Sequence, residues 1–406
     1  MLGVLVLTGF FLREPRLQQS EEWFLQWLLK NSDPHGPVPP LTVVEIGHDL
    51  VLDPAPGSKP SPSAAGSGTG VTALEFALFL QSILEFQPTV VAFENVLRWR
   101  ERDSDQEQVF IDQAMKVPRL LLAAELTTTP DPDAPAFEIQ SFAHVSGKRG
   151  ELVEFSGIGR QPNEEMRLIA TPGVINLPDE ITDRIHVPLL FRYRGEVIPS
   201  FALQAILLWL RVTPAEVSID LGSSISLPNN RKIPIRADGT LLVSPNLGGK
   251  VRRFTMNELL LASEQQDAGN KTPALGAIRD QIVLARIPTN PFSPPDVIAT
   301  TLATIQTNAY VRRVSWMVDC VIVLLITAAI SRFRRASRFE LLLGAAAFTA
   351  AYCLIAIALI SQWLIWLPGV LPLGILWGLV LLFLVLPRRE LKLENETTRT
   401  DSASII

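Results

Sequence analysis

Three apolar runs near the C-terminal end constrain this chain more than any other feature. Val314–Ile330 is 17 residues long, Leu341–Ile360 is 20 and Leu364–Leu386 is 23, and the last two carry no charge. About 20 residues at a rise of 1.5 Å match a hydrocarbon core of roughly 30 Å, so each run is expected to cross a membrane as a helix. The runs also account for a composition with 48% hydrophobic and only 19% charged residues. That balance excludes a purely cytosolic enzyme.

Orientation follows from the connections, because short Lys/Arg-rich loops stay cytoplasmic. The loop Ser331–Phe339 holds Arg332, Arg334, Arg335 and Arg338, and the tail 387–406 holds Arg388, Arg389 and Lys392. The turn Ser361–Gln362–Trp363 carries no charge and opens an aromatic stretch suited to the opposite interface. The residues before Arg312 are therefore expected outside the cytoplasm, in the inner (cytoplasmic) membrane of a bacterium, with the large domain periplasmic. Met1–Leu12 is the candidate export signal, read as a truncated signal anchor at residues 1–12. Its twelve residues rise only about 18 Å, and a buried N-terminal element is the other reading. Asp319 is the one ionisable group inside a span; Arg312, Arg313 or water at the outer end are its expected partners.

Between anchor and spans the charge is lopsided. Residues 31–310 carry 23 Lys/Arg against 32 Asp/Glu, a net of −9, while the remainder carries 13 against 9, a net of +4. An acidic domain lacks the basic face that nucleic acid requires, so no nucleic-acid partner is expected. The two cysteines, Cys320 and Cys353, both lie in apolar runs, so the large domain has no disulfide, thiolate nucleophile or Cys-ligated metal.

Trp23, Phe24, Trp27 and Leu28 share one helix face in a linker at 13–40. From Leu41 the pattern becomes strand, helix, strand, helix, strand: LTVVEIG (Leu41–Gly47), a helix over Thr72–Phe86, PTVVAFE (Pro88–Glu94), a helix over Asp105–Met115 and VPRLLLAAEL (Val117–Leu126). Continuous apolar strands of this kind are buried on both faces, as in parallel βαβ units. Short strands follow at Gly173–Leu177, Val187–Tyr193 and Glu196–Ile198, with a helix at Ser200–Arg211. An antiparallel meander is expected through Ile219, Ile225–Leu227, Lys232–Ile235 and Thr240–Val243, turning at Asn229-Asn230 and Asp238-Gly239. A helix at Met256–Glu264 precedes the buried strand DQIVLAR (Asp280–Arg286), and a last helix, Asp296–Val311, is expected to run straight into the first span. The fold class is thus an α/β layered domain at 41–311, with a parallel βαβ core plus an antiparallel meander, followed by three transmembrane helices.

Recognisable chemistry is sparse. Gly66-Ser67-Gly68-Thr69-Gly70 precedes a helix, but it closes the low-complexity stretch Asp53–Gly70 and does not follow the strand directly, so it reads as linker. His35, His48, His144 and His186 lack metal-site spacing, and no GxSxG occurs. No metal or cofactor is expected. Glu45, His48 and Asp49 stand at the end of the first strand, Glu94 at the end of the second and Glu125 near the end of the third. The carboxyl edge of an α/β sheet is where ligands bind, so these five form the expected ligand-binding rim, with solvated or capping carboxylates as the alternative.

The ordered blocks LTVVEIG, PTVVAFENVL, VPRLLLAAEL, HVPLLFRYRGEVIPSFALQAILLWL, KIPIRADGTLLVSP and RDQIVLARIP, followed by three spans, resemble the second type of the CHASE family, extracellular sensory domains associated with cyclases and histidine kinases. His48-Asp49 stand where that family carries Asp-Glu, and its Gly-x-Trp-Pro-Trp segment is absent. The resemblance implies a sensory, non-enzymatic module that binds a small-molecule or envelope signal. With 20 residues after the last span, its output is expected in a separate kinase or cyclase partner. A scaffold subunit of an envelope complex is the first alternative, and an extracytoplasmic hydrolase acting through the carboxylate rim the second.

Overall fold

The structure, a computed structural model, describes residues 15–33, 36–47, 71–97, 104–129, 139–177, 185–268, 278–288, 296–332 and 337–385. The expected anchor at 1–12, the low-complexity stretch Asp53–Gly70 and the tail 387–406 lie outside the described residues. Its principal helices are α1 (Pro15–Lys30), α2 (Ala73–Leu84), α3 (Ser104–Ala114), α4 (Glu164–Ile169), α5 (Phe201–Leu210), α6 (Met256–Asp267), α7 (Val297–Thr307), α8 (Trp316–Arg332), α9 (Arg338–Trp363) and α10 (Val370–Val385). The chain divides into two compact units. One is residues 32–311 with 361–364; the other is residues 1–31, 312–360 and 365–406.

The larger unit is mixed α/β. Its main sheet has seven strands: β1 (Leu41–Glu45), β2 (Val90–Phe93), β3 (Leu120–Thr127), β4 (Gly157–Arg160), β5 (Thr171–Val174), β6 (Arg252–Thr255) and β7 (Ile282–Arg286). The order is β6-β1-β7-β2-β3, with β5 parallel to the first half of β3 and β4 antiparallel to its end. The steps β1 to β2, β2 to β3 and β6 to β7 all run the same way along the sheet. Right-handed crossovers therefore put α2, α3 and α6 on one face, where Phe76, Phe79, Phe110, Met256 and Leu259 pack on Val44, Val91, Phe93 and Val283. On the other face Leu41, Val43, Val90, Ala92, Ile282 and Leu284 pack with α5 and α7. With both faces covered, β1, β2 and β7 are apolar up to their ends except at Thr42, whose hydroxyl bonds to Gln281.

Local chemistry sets the helix starts. Thr72 and Thr255 form capping boxes with Glu75 and Glu258, and Ser200 accepts from the Leu203 amide at the start of α5. The antiparallel region is built from Ser218–Asp220, Ser224–Leu227 and Arg231–Pro234, with His144–Ser146 added in parallel at its edge. Thr240–Leu242 does not continue this meander as expected; it pairs instead with His186–Pro188. Leu190–Tyr193 and Glu196–Pro199 form a hairpin whose two turn residues, Arg194 and Gly195, have φ of 50° and 84°, the left-handed pair that matches strand twist.

The expected continuous helix from Asp296 into the first apolar run is not formed. Helix α7 stops at Thr307, where Asn308 adopts φ 54° and its amide bonds back to the Thr304 and Ile305 carbonyls. Arg231 fixes this end: its guanidinium donates to the Ile305 carbonyl at 2.8 Å, the Gln306 carbonyl at 2.6 Å and Asn308 Oδ1 at 3.0 Å.

In the smaller unit, α9 is long and apolar enough to cross a membrane, and it absorbs Ser361–Gln362–Trp363, expected to be a turn. Helices α8 and α10, at 17 and 16 residues, are apolar but shorter than a full span. The run expected as one helix from Leu364 does not start there. Ile365–Trp366 pairs with Arg312–Arg313 as a two-residue ladder, and α10 begins only at Val370, after Pro368-Gly369. Glu21 on α1 caps that beginning, its two carboxylate oxygens accepting from the amides of Gly369 at 2.8 Å and Val370 at 2.9 Å, which also places negative charge at the positive end of the helix. A Cβ at position 369 would overlap the Phe24 ring, so any larger residue there requires that ring to move. Arg313 lies over the Trp366 ring and reaches Asp319 at 3.5 Å.

Replacing Arg231 by Met leaves the α7 carbonyls without their charged donor. The variant is expected to lose about 1.5–3 kcal/mol of stability, measured as a lower thermal midpoint of the full chain in detergent.

Candidate functional site

The register of the main sheet determines which polar side chains meet at its carboxyl edge. Side chains alternate along a strand, so Leu41, Val43 and Glu45 face the same way, as do Ile282, Leu284 and Arg286, and Val90, Ala92 and Glu94. Glu45 pairs directly with Arg286 across β1 and β7, and Ala285 pairs with Phe93 across β7 and β2, which sets Glu94 beside Arg286 on the other side. The three apolar stripes thus end in a carboxylate, a guanidinium and a carboxylate on the α5–α7 face.

Two further groups complete the cluster. Asp296 directly precedes α7 with φ 74°, and its Oδ1 accepts from Arg286 at 3.1 Å and from Arg253 of β6 at 2.5 Å. Arg253 also lies 3.9 Å from Glu45. Because the Asp296 carboxylate is occupied in this way, it makes no side-chain cap to its own helix. Arg286 is only 6% exposed and Glu94 only 2%. Burial pushes the Glu94 carboxyl up to about 7; Arg286 and Arg253 pull it down, and Asp296 pushes it up. Neighbouring Asn95 is also buried, its side chain accepting from the Ile287 amide just past β7. A carboxyl titrating near neutrality beside a buried guanidinium can accept or release a proton, or rearrange its partners, when charge is brought to the edge.

Of the five expected rim residues, Glu45 and Glu94 come together here. Glu125 does not join them. It sits on β3, where Phe93 opposite Leu122 puts it two residues beyond the level of Glu94, and it is bound by Arg160 of β4. His48 and Asp49 lie outside the described residues. Arg286, Arg253 and Asp296 were not among the expected residues. The alternation within Ile282–Arg286 carried a signal for Arg286; nothing local pointed to Arg253, which the pairing of β6 with β1 brings in, or to Asp296, which arrives with the start of α7. Among the described residues no group of three or more His, Cys, Asp or Glu could hold a metal ion. His144 is exposed on its strand, and His186 contacts Arg236 at 2.7 Å.

The chain matches no family model, no curated protein and no solved structure. The resemblance to the second-type CHASE domains gains no support from these comparisons.

A carboxyl whose folded pKa lies above its unfolded value of 4.5 leaves the native state holding more protons, so stability falls as pH rises from about 4.5 to about 7. The loss is on the order of 1–3 kcal/mol. It should be present in the wild type and absent in Glu94→Gln when unfolding is followed across that range. Asp296→Asn removes a charge that raises the Glu94 pKa, so it should move the Glu94 titration, followed by carboxyl infrared difference spectra, to lower pH.

Proposed function

We propose that this chain is a membrane-tethered sensory module. Its α/β domain receives a signal at the carboxyl edge of the main sheet, and its state is relayed through α7 and the apolar helices to a separate partner protein. The supporting observation is that one residue belongs both to the edge and to the start of the helix that leads away from it. Asp296 is the ion-pair partner of Arg286 and Arg253 at the edge, and it is also the residue from which α7 starts, the last helix of the domain before the chain enters Arg312–Arg313 and α8.

In this reading a ligand that draws Arg286 or Arg253 toward itself, or that ionises Glu94, releases Asp296 and changes how the first turn of α7 is held. The shift in population can be no larger than the ligand's differential affinity for the two arrangements. Glu45, at the open side of the cluster with Arg253, meets the ligand first. The domain faces away from the cytoplasm, following the Arg-rich loop between α8 and α9, and the partner is a kinase or cyclase acting from the other side.

Two measurements test this. Single cysteines at Ser337 and at Val153, in a full chain lacking Cys320 and Cys353, are labelled from outside intact cells; labelling at Val153 alone is expected, and labelling at Ser337 alone would invert the topology and end the proposal. Hydrogen exchange over 297–307, corrected for its intrinsic pH dependence, is then compared at pH 5 and pH 8 in lipid nanodiscs. A protection change in the wild type that disappears in Glu94→Gln is expected. Identical profiles in both proteins would show that the edge does not control α7.

A further inference from the structure

A second region of the α/β unit, separate from the charge cluster, has the composition of a small-molecule site. A groove of about 670 Å³ opens at the amino-terminal end of β3 and β5, between α4 and the last turns of α5. This is the opposite end of the strands from Glu45 and Glu94, at the margin of the sheet away from β6. Its size falls within the usual range for ligand pockets. Leu122, Ile139, Leu208 and Val212 supply apolar walls, while Arg167 and Gln204 supply the polar groups.

Neither polar group is satisfied by the protein. Gln204 is 6% exposed, yet its side-chain amide makes no hydrogen bond among the described residues. Arg167 has no ion-pair partner among them either, and its Nε is buried without an acceptor. Buried polar groups in folded proteins are almost always paired, so the buried Arg167 Nε without an acceptor, together with a Gln204 amide that lines the same groove and has no protein partner among the described residues, indicates ligand atoms that the chain itself does not supply.

We propose that this groove binds a small organic monocarboxylate with an apolar or aromatic body, its carboxylate on the Arg167 guanidinium and its body along Leu208, Val212 and Ile139, with Gln204 hydrogen-bonding a polar atom of the ligand. A guanidinium matches a carboxylate through two parallel hydrogen bonds. A doubly charged phosphate fits less well. The carbonyl end of α5 borders the groove and the exposed Glu164 stands at its rim, and both oppose a second negative charge. The site is independent of the relay reading and stands or falls separately from it.

The test uses the full chain in lipid nanodiscs, with empty nanodiscs as the blank. Benzoate, phenylacetate and hexanoate are titrated by saturation-transfer NMR, with benzyl alcohol as the uncharged comparison and inorganic phosphate as the competing anion. Saturable binding of at least one carboxylate is expected, weakened at least about tenfold in Arg167→Met, partly restored in Arg167→Lys and weakened in Gln204→Leu. Thermal midpoints should stay near the wild-type value, because neither side chain has a protein partner to lose. The proposal is overturned if no carboxylate binds below about 10 mM, if Arg167→Met binds as tightly as the wild type, or if phosphate binds more tightly than every carboxylate.

Discussion

A guanidinium kept out of water must be paired or hydrogen-bonded, and the larger unit is organised around one that is held by carboxylates. Arg286 stands in the central strand β7 at 6% exposure, with Glu45 on one side, Glu94 on the other and Asp296 in front. Removing a partner from a buried charge costs about 3–5 kcal/mol, far more than an exposed pair contributes. The arrangement therefore fixes more than the edge itself. It holds the chain at Asp296 in a left-handed conformation and thereby sets where α7 starts and how it lies on the sheet. Arg231 does the equivalent at the far end, where its bonds to the last carbonyls stop the helix at Thr307. One helix is thus clamped at both termini by arginine.

The smaller unit uses a carboxylate in the complementary way. Glu21 satisfies two amides at the start of α10, which Pro368 and Gly369 would otherwise leave open. In an apolar unit these amides have few other partners, so a charged residue on α1 decides where the following helix begins. Tyr352 donates to the Pro368 carbonyl just ahead of it, and Arg313 bridges Trp366 and Asp319. Within the helices the polar contact is sparser: the Trp377 indole of α10 donates to Thr349 of α9 at 3.1 Å.

Much of the fold was legible because its signals are local. The apolar strands Leu41–Glu45, Val90–Phe93, Leu120–Thr127 and Ile282–Arg286 announced burial on both faces, and Thr72, Ser200 and Thr255 marked helix starts with hydroxyls three residues ahead of the amides they accept from. The rim was legible only in part. Glu45 and Glu94 end neighbouring stripes of one face, but Glu125 overshoots that level and is taken by Arg160. No pattern within a single segment could show that Arg253, on a strand late in the chain, lies beside β1.

By itself the sequence determined the apolar strands β1, β2, β3 and β7, the helices that alternate with them, which faces are apolar, and that the chain after Arg313 is built from apolar helices, because periodicity is a property of neighbours along the chain. Only the tertiary structure decided the strand order β6-β1-β7-β2-β3, and with it the meeting of Arg286 with its carboxylates. It also decided where α7 stops and where α10 starts. Those ends depend on Arg231 and Glu21, which are far away in sequence: helix termini expose amides and carbonyls that any suitably placed charge can satisfy, and folding brings that charge to them.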